Sequence, residues 1–558
     1  MSYLDLPRIH FAGLYRTDPS TVNNARANYA SAAAAAANPA WNAGGRHHFQ
    51  FANCRIRSTF TQAGALATAR AQDSLITGQV VTTDSPRAAR LVDLDPEHQT
   101  GSQIWGMELR IEGATGEGFT ATFDTATLQQ LWFGRTPDGF PKGLGGVYQS
   151  ALTNLRWSSA TAPFQSIALN EFFIKSGTRA SIKFVLYAYD GNPASPTFTQ
   201  GSIVGTIGPA AAGELSASVA GRKLRNAASV VAGQPPPFGD APFIVDTARK
   251  RLIIDLGNAM PEQSPAGPRV NVGTLEAQIE MPAPAAPLRI GAITYDKAHY
   301  ETTAGIEELP LTQQQLTEIV RRPVRLRASS PARIILGERA DGLHMGVSET
   351  VFRMNPGETR DVVVEVRQRG APKNNQPIVV ALLSPASSTG LSLTGIVNAS
   401  STPMPLASPM TAAGTPAPST IRTSPGGAVI LRFTASAPGN PRGLLDGQVY
   451  KIALFVDSVS TPNLMDQIVV RVFDTHAMVA SPRWADVAGI FTPYHTLYPS
   501  MRPLVPLNDQ ARVTAMAALV AASMQRPETD PGYMPVSRDL SRDKKALLLR
   551  WLNNGAPP

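Results

Sequence analysis

The sequence predicts a mainly β protein, made of β-sandwich or β-barrel domains with one immunoglobulin-like member, that ends in a small C-terminal α-helical segment. Its 558 residues include 45 glycines and 47 prolines between many short apolar runs, which is typical of strands joined by turns. Apolar and polar residues alternate along several of these runs. Helical spacing is clear only near the end, in the apolar stripe Val513, Met516, Ala517, Val520 and Met524.

Composition excludes several classes of protein. Charged residues make up 16% of the chain and the net charge is +8, with basic residues scattered, so we expect no nucleic-acid partner. The single cysteine, Cys54, excludes an intrachain disulfide and a thiolate metal cluster. No run approaches the roughly 20 apolar residues of a membrane span, and the N-terminus lacks a signal-peptide pattern. We therefore expect a soluble, cytoplasmic protein without a membrane partner.

The first two predicted domains are an N-terminal β domain, residues 1–157, and a second β-rich domain, residues 158–325, packed with it. Near the start, Arg8 and His10 alternate with apolar residues, so they point to one face of a strand. In the second domain, 275–279 alternates as a half-buried strand should. Thr312 with Gln315 forms a capping box for a short helix.

Residues 326–475 are predicted to form an immunoglobulin-like β-sandwich, since strands recur every ten to twenty residues with turns between them. The insert Asn398 to Ser424 is rich in Ser, Thr, Pro and Ala, which predicts a mobile loop.

Residues 476–558 are predicted to form the C-terminal helical segment. One helix covers the stripe from Val513 to Met524. Asp539 or Ser541 can cap the last helix, and Gly555 ends it. Two helices are too few to form a core alone, so we expect them to bury their apolar faces on the first β domain. The apolar face of the last helix is Leu547, Leu548, Trp551 and Leu552.

Two groups of residues are candidates for binding. His47 and His48 face opposite sides of a strand, and His10 with His47 are candidates for contact with a substrate. Alternatively, one histidine is hydrogen-bonded in the core and one lies in solvent. Asp93 and Asp95 form an Asp-x-Asp, which suits calcium or magnesium or, alternatively, a turn. There is no Walker motif, no dinucleotide fingerprint, no Gly-x-Ser-x-Gly and no Glu-x-x-His.

Short motifs along the chain resemble a known family. They are Pro-Arg-Ile-His-Phe at 7–11, Asp-Leu-Asp-Pro at 93–96 with Gln-Ile-Trp at 103–105, Leu-Tyr-Pro-Ser-Met at 497–501, Tyr-Met-Pro-Val-Ser-Arg-Asp-Leu-Ser at 533–541 and Leu-Leu-Leu-Arg-Trp-Leu at 547–552. This set resembles the N-terminal half of the imine dimer synthase of violacein biosynthesis and the related chromopyrrolate synthases. In that family a ferritin-like half follows.

The resemblance implies a component of secondary-metabolite biosynthesis. The larger relatives oxidatively couple two imines of indole-3-pyruvate, derived from tryptophan, and are associated with haem. We expect this chain to supply the β-rich half, with a separate ferritin-like or oxidase protein as partner. If it is an enzyme, it is an oxidoreductase. The alternative is a non-catalytic β scaffold or binding protein derived from that family. A second copy of the chain, as a homo-oligomer, is another candidate partner.

The resemblance also suggests two site residues. His495, beside Tyr494 and Tyr498, is the candidate axial ligand for haem, or alternatively a packing or surface histidine. The relative's own histidine in this segment aligns with Gly489. Arg538 is a candidate for bidentate binding of a substrate carboxylate, or alternatively pairs locally with Asp539.

Overall fold

The chain is mainly β, as predicted. A computed structural model describes residues 2–18, 42–62, 73, 76, 78, 80–82, 87–95, 101–133, 144–192, 194–211, 213–226, 238–263, 267–383, 419–443, 445–456 and 467–558. Most of the predicted mobile loop, 398–418, lies outside the described residues. None of the helices within these ranges is long and apolar enough to cross a membrane.

The first unit is an antiparallel sheet of eleven strands that closes on itself. Its path runs β1-β11-β10-β9-β7-β6-β3-β2-β4-β5-β8, and β1 also pairs with β2, so part of the sheet forms a barrel-like ring. The strands are β1 Arg8–Asp18, β2 His48–Phe60, β3 Val80–Thr82, β4 Ala89–Val92, β5 Gln103–Trp105, β6 Glu108–Glu112, β7 Gly118–Phe123, β8 Ala126–Phe133, β9 Leu144–Trp157, β10 Ala180–Tyr187 and β11 Gln200–Pro209.

An aromatic core fills this sheet. Phe11, Phe49, Phe184 and Tyr148 are fully buried and lie within ring-contact distance of one another or of shared neighbours. Helix α1, Ile167–Ser176, adds further apolar residues to the same core. The predicted domain boundaries remain predictions, and the sheet itself continues past residue 157 to the end of β11.

The second unit is an eight-stranded sheet in the order β16-β15-β18-β19-β12-β13-β14-β17. Its strands and helices are β12 Arg222–Asn226, β13 Ala241–Asp246, β14 Arg251–Asp255, β15 Leu275–Ile279, β16 Leu288–Ile293, α2 Lys297–Thr303, β17 Ile306–Pro310, α3 Gln313–Ile319, β18 Val324–Ser329 and β19 Ala332–Glu338. The predicted capping box is present at α3: Gln315 N–H donates to Thr312 Oγ1, and Thr312 N–H donates to Gln315 Oε1.

The third unit is a two-sheet β-sandwich. One sheet holds β20, β22, β23 and β26, and the other runs β21-β28-β27-β24-β25. Apolar residues from both sheets form one core between them. The strands are β20 Leu343–Val347, β21 Val351–Met354, β22 Thr359–Gln368, β23 Ala371–Pro372, β24 Pro377–Leu383, β25 Ser419–Arg422, β26 Ala428–Thr434, β27 Gln448–Phe455 and β28 Gln467–Val472.

The C-terminal segment is helical, as predicted, but it differs in two ways. It contains α4 Trp484–Leu497, a 3₁₀ turn Pro499–Met501, α5 Gln510–Ala515, α6 Ala517–Gln525 and α7 Arg542–Asn553. The single helix predicted over 513–524 is broken at Met516, whose φ of −108° and ψ of 13° are not helical. The segment also packs an apolar core of its own from these helices, because α4 supplies the partner surface that two helices lack.

Trp551 is the centre of that helical core. Its exposed fraction is 0%, its ring centroid lies 5.4 Å from that of Trp484 and 6.1 Å from that of Phe491, and its Nε1–H donates to the Pro557 carbonyl at 2.9 Å. The predicted apolar face of α7 is therefore buried within the segment, and the contacts to the β units are made by other residues.

Replacing Trp551 with alanine should destabilise the helical segment by roughly 3–5 kcal/mol, because a large buried ring leaves a cavity. Thermal unfolding followed by circular dichroism measures this change. Leu504→Ala is the control, since Leu504 is 67% exposed and its truncation leaves no cavity. An unchanged melting temperature for Trp551→Ala would contradict the packing described.

Candidate functional site

Helix α4 and the motif at 533–541 meet where the helical segment contacts the first sheet and the sandwich. Tyr494 Oη, on α4, donates to Asp539 Oδ1 at 3.0 Å, and Ser537 Oγ donates to the same oxygen at 2.5 Å. Burial and the Asp539 carboxylate raise the pKa of Tyr494 well above its usual value, so the phenol remains a donor. We call His47, Trp105, Tyr494, Arg538 and Asp539 the junction cluster.

Arg538 is buried and its donors are engaged. The residue is only 2% exposed. Its guanidinium donates to the backbone carbonyls of Glu528, Val536 and Asp530. Its Cζ lies 5.3 Å from the Trp105 ring centroid. Burial, and then the cation of Arg353, lower the pKa of Arg538 to about 9. Arg538 thus binds backbone carbonyls and joins the segments that carry them, and its donors do not face a ligand site.

His47 contributes a buried imidazole to the cluster. Its Nδ1–H donates to the Leu91 carbonyl at 3.0 Å, and its ring centroid lies 5.7 Å from that of Tyr498. Burial lowers the pKa of His47 to about 4, so the ring is neutral at pH 7. In the described part of the chain, its Nε2 has no hydrogen-bond partner. His47 therefore offers one acceptor atom inside the cluster.

Arg353 also belongs to this region, although no local motif singles it out. It lies on β21 of the sandwich, its Nη2 donates to the Asp93 carbonyl at 2.9 Å, and its Nη1 donates to Gln103 Oε1. Its Cζ is 5.6 Å from the Trp105 ring, so two guanidinium groups lie near one indole. Cation–π attraction of this kind stabilises each contact by about 0.5–2 kcal/mol. Arg353 and Gln103 are 250 residues apart in the chain, so no local sequence pattern indicates their contact.

Asp93 and Asp95 lie beside the cluster but have different hydrogen-bond partners. Asp93 Oδ1 accepts from Ser102 Oγ, and burial raises the pKa of Asp93 to about 6. Asp95 accepts bidentately from Arg442, with Nη1 and Nη2 at 2.9 and 2.8 Å. Asp95 is therefore neutralised by an arginine. Within the described ranges, no group of three or more His, Cys, Asp or Glu residues is arranged to hold a metal ion.

His10 lies apart from the junction cluster, on the other face of the barrel-like sheet from the aromatic core. Its Nδ1 is 2.9 Å from Thr206 Oγ1, and its ring meets Phe60 edge-on at 5.3 Å. Burial lowers the pKa of His10 well below its usual value. His10 and His47 are thus not brought together.

The surroundings of His495 do not fit haem. An axial histidine needs an apolar pocket, but the His495 side chain is partly exposed on α4. Burial and the cation of Arg502 lower its pKa, and Arg502 donates to the carbonyl of His495 itself. The neighbouring Tyr494 turns toward Asp539. We therefore assign no haem chemistry to this residue.

A groove of about 660 Å³ lies next to the junction cluster, between the first sheet and the loop after α6. Its size is within the roughly 300–1,000 Å³ of small-molecule sites. Pro527 and Pro531 provide apolar surface, Arg87 and Arg526 provide cations, and the lining also contains the carboxylates of Glu108, Asp124 and Asp530. Both cations lie near Asp530, at 3.7 Å from Arg87 and 2.9 Å from Arg526. The groove thus combines a small apolar surface with charges of both signs.

Comparison with known proteins gives no family. No family model matches the chain, and no curated protein matches it. Among solved structures it is similar to two structures of the S-layer protein SbsC, at 9% and 8% identity, with TM-scores of 0.15 and 0.14. Each similarity covers 72% of this chain and 50% of the other. A Salmonella alpha-2-macroglobulin mutant is similar at 9% identity and a TM-score of 0.15, over 86% of this chain and 27% of that one.

Replacing Arg538 with lysine should loosen the junction, because an ammonium cannot reach three carbonyls and lie against Trp105 together. We expect a loss of roughly 2–4 kcal/mol, since buried carbonyls lose their donors. Hydrogen exchange should rise in residues 526–541. Arg542→Lys, at a side chain 57% exposed, is the matched control. Unchanged exchange in Arg538→Lys would show that the clamp is unimportant.

Replacing Asp93 with asparagine should stabilise the protein above pH 6. The folded pKa of Asp93, about 6, is raised above the ordinary value near 3.9, so the folded protein favours the protonated form. Its contribution to stability is present below about pH 4 and is lost as pH rises through 6. Asp93→Asn should therefore gain about 3 kcal/mol at pH 8 and nothing at pH 4.

Melting temperatures across pH 4–8 measure this difference. Asp95→Asn is the control with the opposite sign, because it leaves Arg442 buried without its carboxylate. A constant difference between Asp93→Asn and the native protein at all pH values would contradict the assignment.

Proposed function

We propose that this chain is the β-rich subunit of a cytoplasmic secondary-metabolite pathway that oxidatively couples amino-acid-derived imines, and that a separate ferritin-like protein supplies the redox step. An oxidase is the other candidate for that partner. The proposal rests on the resemblance to the imine dimer synthase family. Within it, this chain binds substrate and positions the partner.

The contact between α4 and the motif at 533–541 is the observation that carries the proposal. Helix α4 ends at Leu497, where the motif 497–501 begins, and its Tyr494 donates to Asp539 of the motif 533–541. The loop just before the second motif contacts the first sheet, where Arg90 Nε donates to the Pro531 carbonyl at 2.9 Å. A docked helical end is what a segment that joins two functional halves requires.

A second face of the helical segment supports a partner protein. Leu519 on α6 is 56% exposed, and Ala518 and Ala522 beside it are exposed too. These residues share one side of the helix. An exposed apolar face on the segment that in the larger relatives adjoins the ferritin-like half suits that kind of protein.

The groove beside the junction cluster supports a substrate role. An indole ring can pack against Pro527 and Pro531, and a carboxylate can exchange with Asp530 on Arg526 or Arg87. The groove is therefore our candidate for the site of an indole-3-pyruvate-derived imine.

A non-catalytic scaffold or binding protein is the second candidate. It is favoured by the contacts of the residues selected from the sequence: Arg538 is engaged by carbonyls and Asp95 by Arg442. Neither is positioned to act on a substrate. In this case the groove binds a ligand without reaction.

Recovery of the chain with an affinity tag from its native host tests the proposal. We expect mass spectrometry to identify a ferritin-like or oxidase protein, and Leu519→Glu should lower its recovery at least about tenfold, because a charge is costly in an apolar contact. Asn553→Glu adds the same charge at an exposed position of a different helix, α7, and should leave recovery unchanged.

Reconstitution then separates the two candidates. The chain, the identified partner and an imine generated from tryptophan by an amino-acid oxidase should yield the coupled dimer, detected by its mass. A dimer that forms equally fast without this chain would contradict a catalytic role. A Soret band that shifts in His495→Ala would contradict our conclusion on haem.

A further inference from the structure

A row of polar side chains crosses five strands of the first sheet. Ser58 pairs with His10, His10 with Thr206, Thr206 with Lys183, and Lys183 with Gln149. Directly opposed residues share a face of the sheet, so these side chains lie side by side. All five are buried. A buried polar row of this length needs partners from whatever covers it.

The second unit covers this row of side chains and supplies a carboxylate that pairs with Lys183. Lys183 Nζ donates to Asp255 Oδ1 at 2.9 Å, at the end of β14, and the backbone N–H of Gly257 donates to the same oxygen at 2.9 Å. Tyr3 Oη donates to the other oxygen of Asp255. At the far end, Ser58 Oγ donates to the Thr302 carbonyl at 2.6 Å. The cover is thus well matched at Ser58 and Lys183.

In the described part of the chain His10 Nε2 also lacks a partner, but Gln149 is the unmatched member of the row that lines a cavity. It is 6% exposed, and its Oε1 has no hydrogen-bond partner in the part of the chain that the structure describes. Gln149 and Lys183 line the same pocket of about 70 Å³, which lies between the first sheet, the second unit and β20 of the sandwich. Lys183 donates one described hydrogen bond, whereas an ammonium has three hydrogens. The pocket therefore presents an acceptor next to a donor.

We propose that this pocket is a binding site for a small uncharged amide. The N–H of the amide donates to Gln149 Oε1, and its carbonyl oxygen accepts from Lys183 Nζ. This site is separate from the groove at the junction cluster and does not depend on the function proposed above.

Charge and size select this class of ligand. The pocket contains two cations and two carboxylates that already pair, Lys183 with Asp255 at 2.9 Å and Lys223 with Asp240 at 3.6 Å. An ion would enter without a counter-charge, which is costly in a buried site. The volume of about 70 Å³ is roughly half of the ~150 Å³ that holds a benzene ring. A primary amide of acetamide size meets both limits.

Ligand-observed saturation-transfer NMR on the full chain tests the site with acetamide as the probe. We expect saturable binding with a Kd of about 10⁻⁵–10⁻³ M, which is the range open to so small a molecule. Acetate, which is charged, and N,N-dimethylacetamide, which has no N–H, should bind at least about tenfold more weakly. Benzamide should be excluded by its size. Equal binding of acetamide and N,N-dimethylacetamide would overturn the proposal.

Gln149→Leu removes the acceptor and nearly keeps the volume, so acetamide binding should weaken at least about tenfold. Gln165→Leu, at an exposed position, should bind as the native chain does. Native-like binding by Gln149→Leu would overturn the proposal, as would a failure of the native chain to bind acetamide, which would indicate a pocket that holds water only. If Gln149→Leu does not fold, the series of four probes on the native chain decides the question.

Discussion

Buried ion pairs between the β units fix how this molecule is assembled. Asp95 of the first sheet receives Arg442 of the sandwich, and Lys183 of the first sheet meets Asp255 of the second unit. Both pairs are almost inaccessible to solvent. Removing charges from water costs about as much free energy as their attraction returns, but leaving one partner alone costs several kcal/mol. We infer that such pairs add little net stability and instead select one arrangement of the units.

This kind of boundary explains where the cavities lie. Each β unit has its own apolar core, so the surfaces between units are left to polar side chains with directional needs. Polar surfaces match less completely than apolar ones, because every donor and acceptor requires a partner at a set angle. Gln149 in the small pocket is one such mismatch. The groove between the first sheet and Pro527 lies at another boundary, so both candidate sites follow from the assembly of units rather than from any one of them.

Local patterns in the sequence predicted the features that depend on near neighbours. The alternation at 275–279 gave strand β15, and Thr312 with Gln315 gave the capping box. Contacts between distant residues could not be predicted in this way. The Asp-x-Asp at 93–95 predicts a metal site or a turn because it is local, whereas Arg442, which binds Asp95 bidentately, is 347 residues away. The break at Met516 was missed for a related reason: apolar spacing continues through it, and only the backbone angles reveal the change of helix.

The motifs that carry the family resemblance are largely structural here, and that changes what the resemblance can support. Arg538 has the side chain expected of a carboxylate-binding residue, but its donors hold the carbonyls of Glu528, Val536 and Asp530. Asp539 likewise has a partner within the protein, because it accepts a hydrogen bond from Tyr494. Side chains with such internal partners determine how the helical segment docks, but they do not indicate which reaction or ligand the protein serves. Evidence on function therefore has to come from surfaces whose groups remain available, which are the exposed side of α6, the groove beside Arg526 and the acceptor of Gln149.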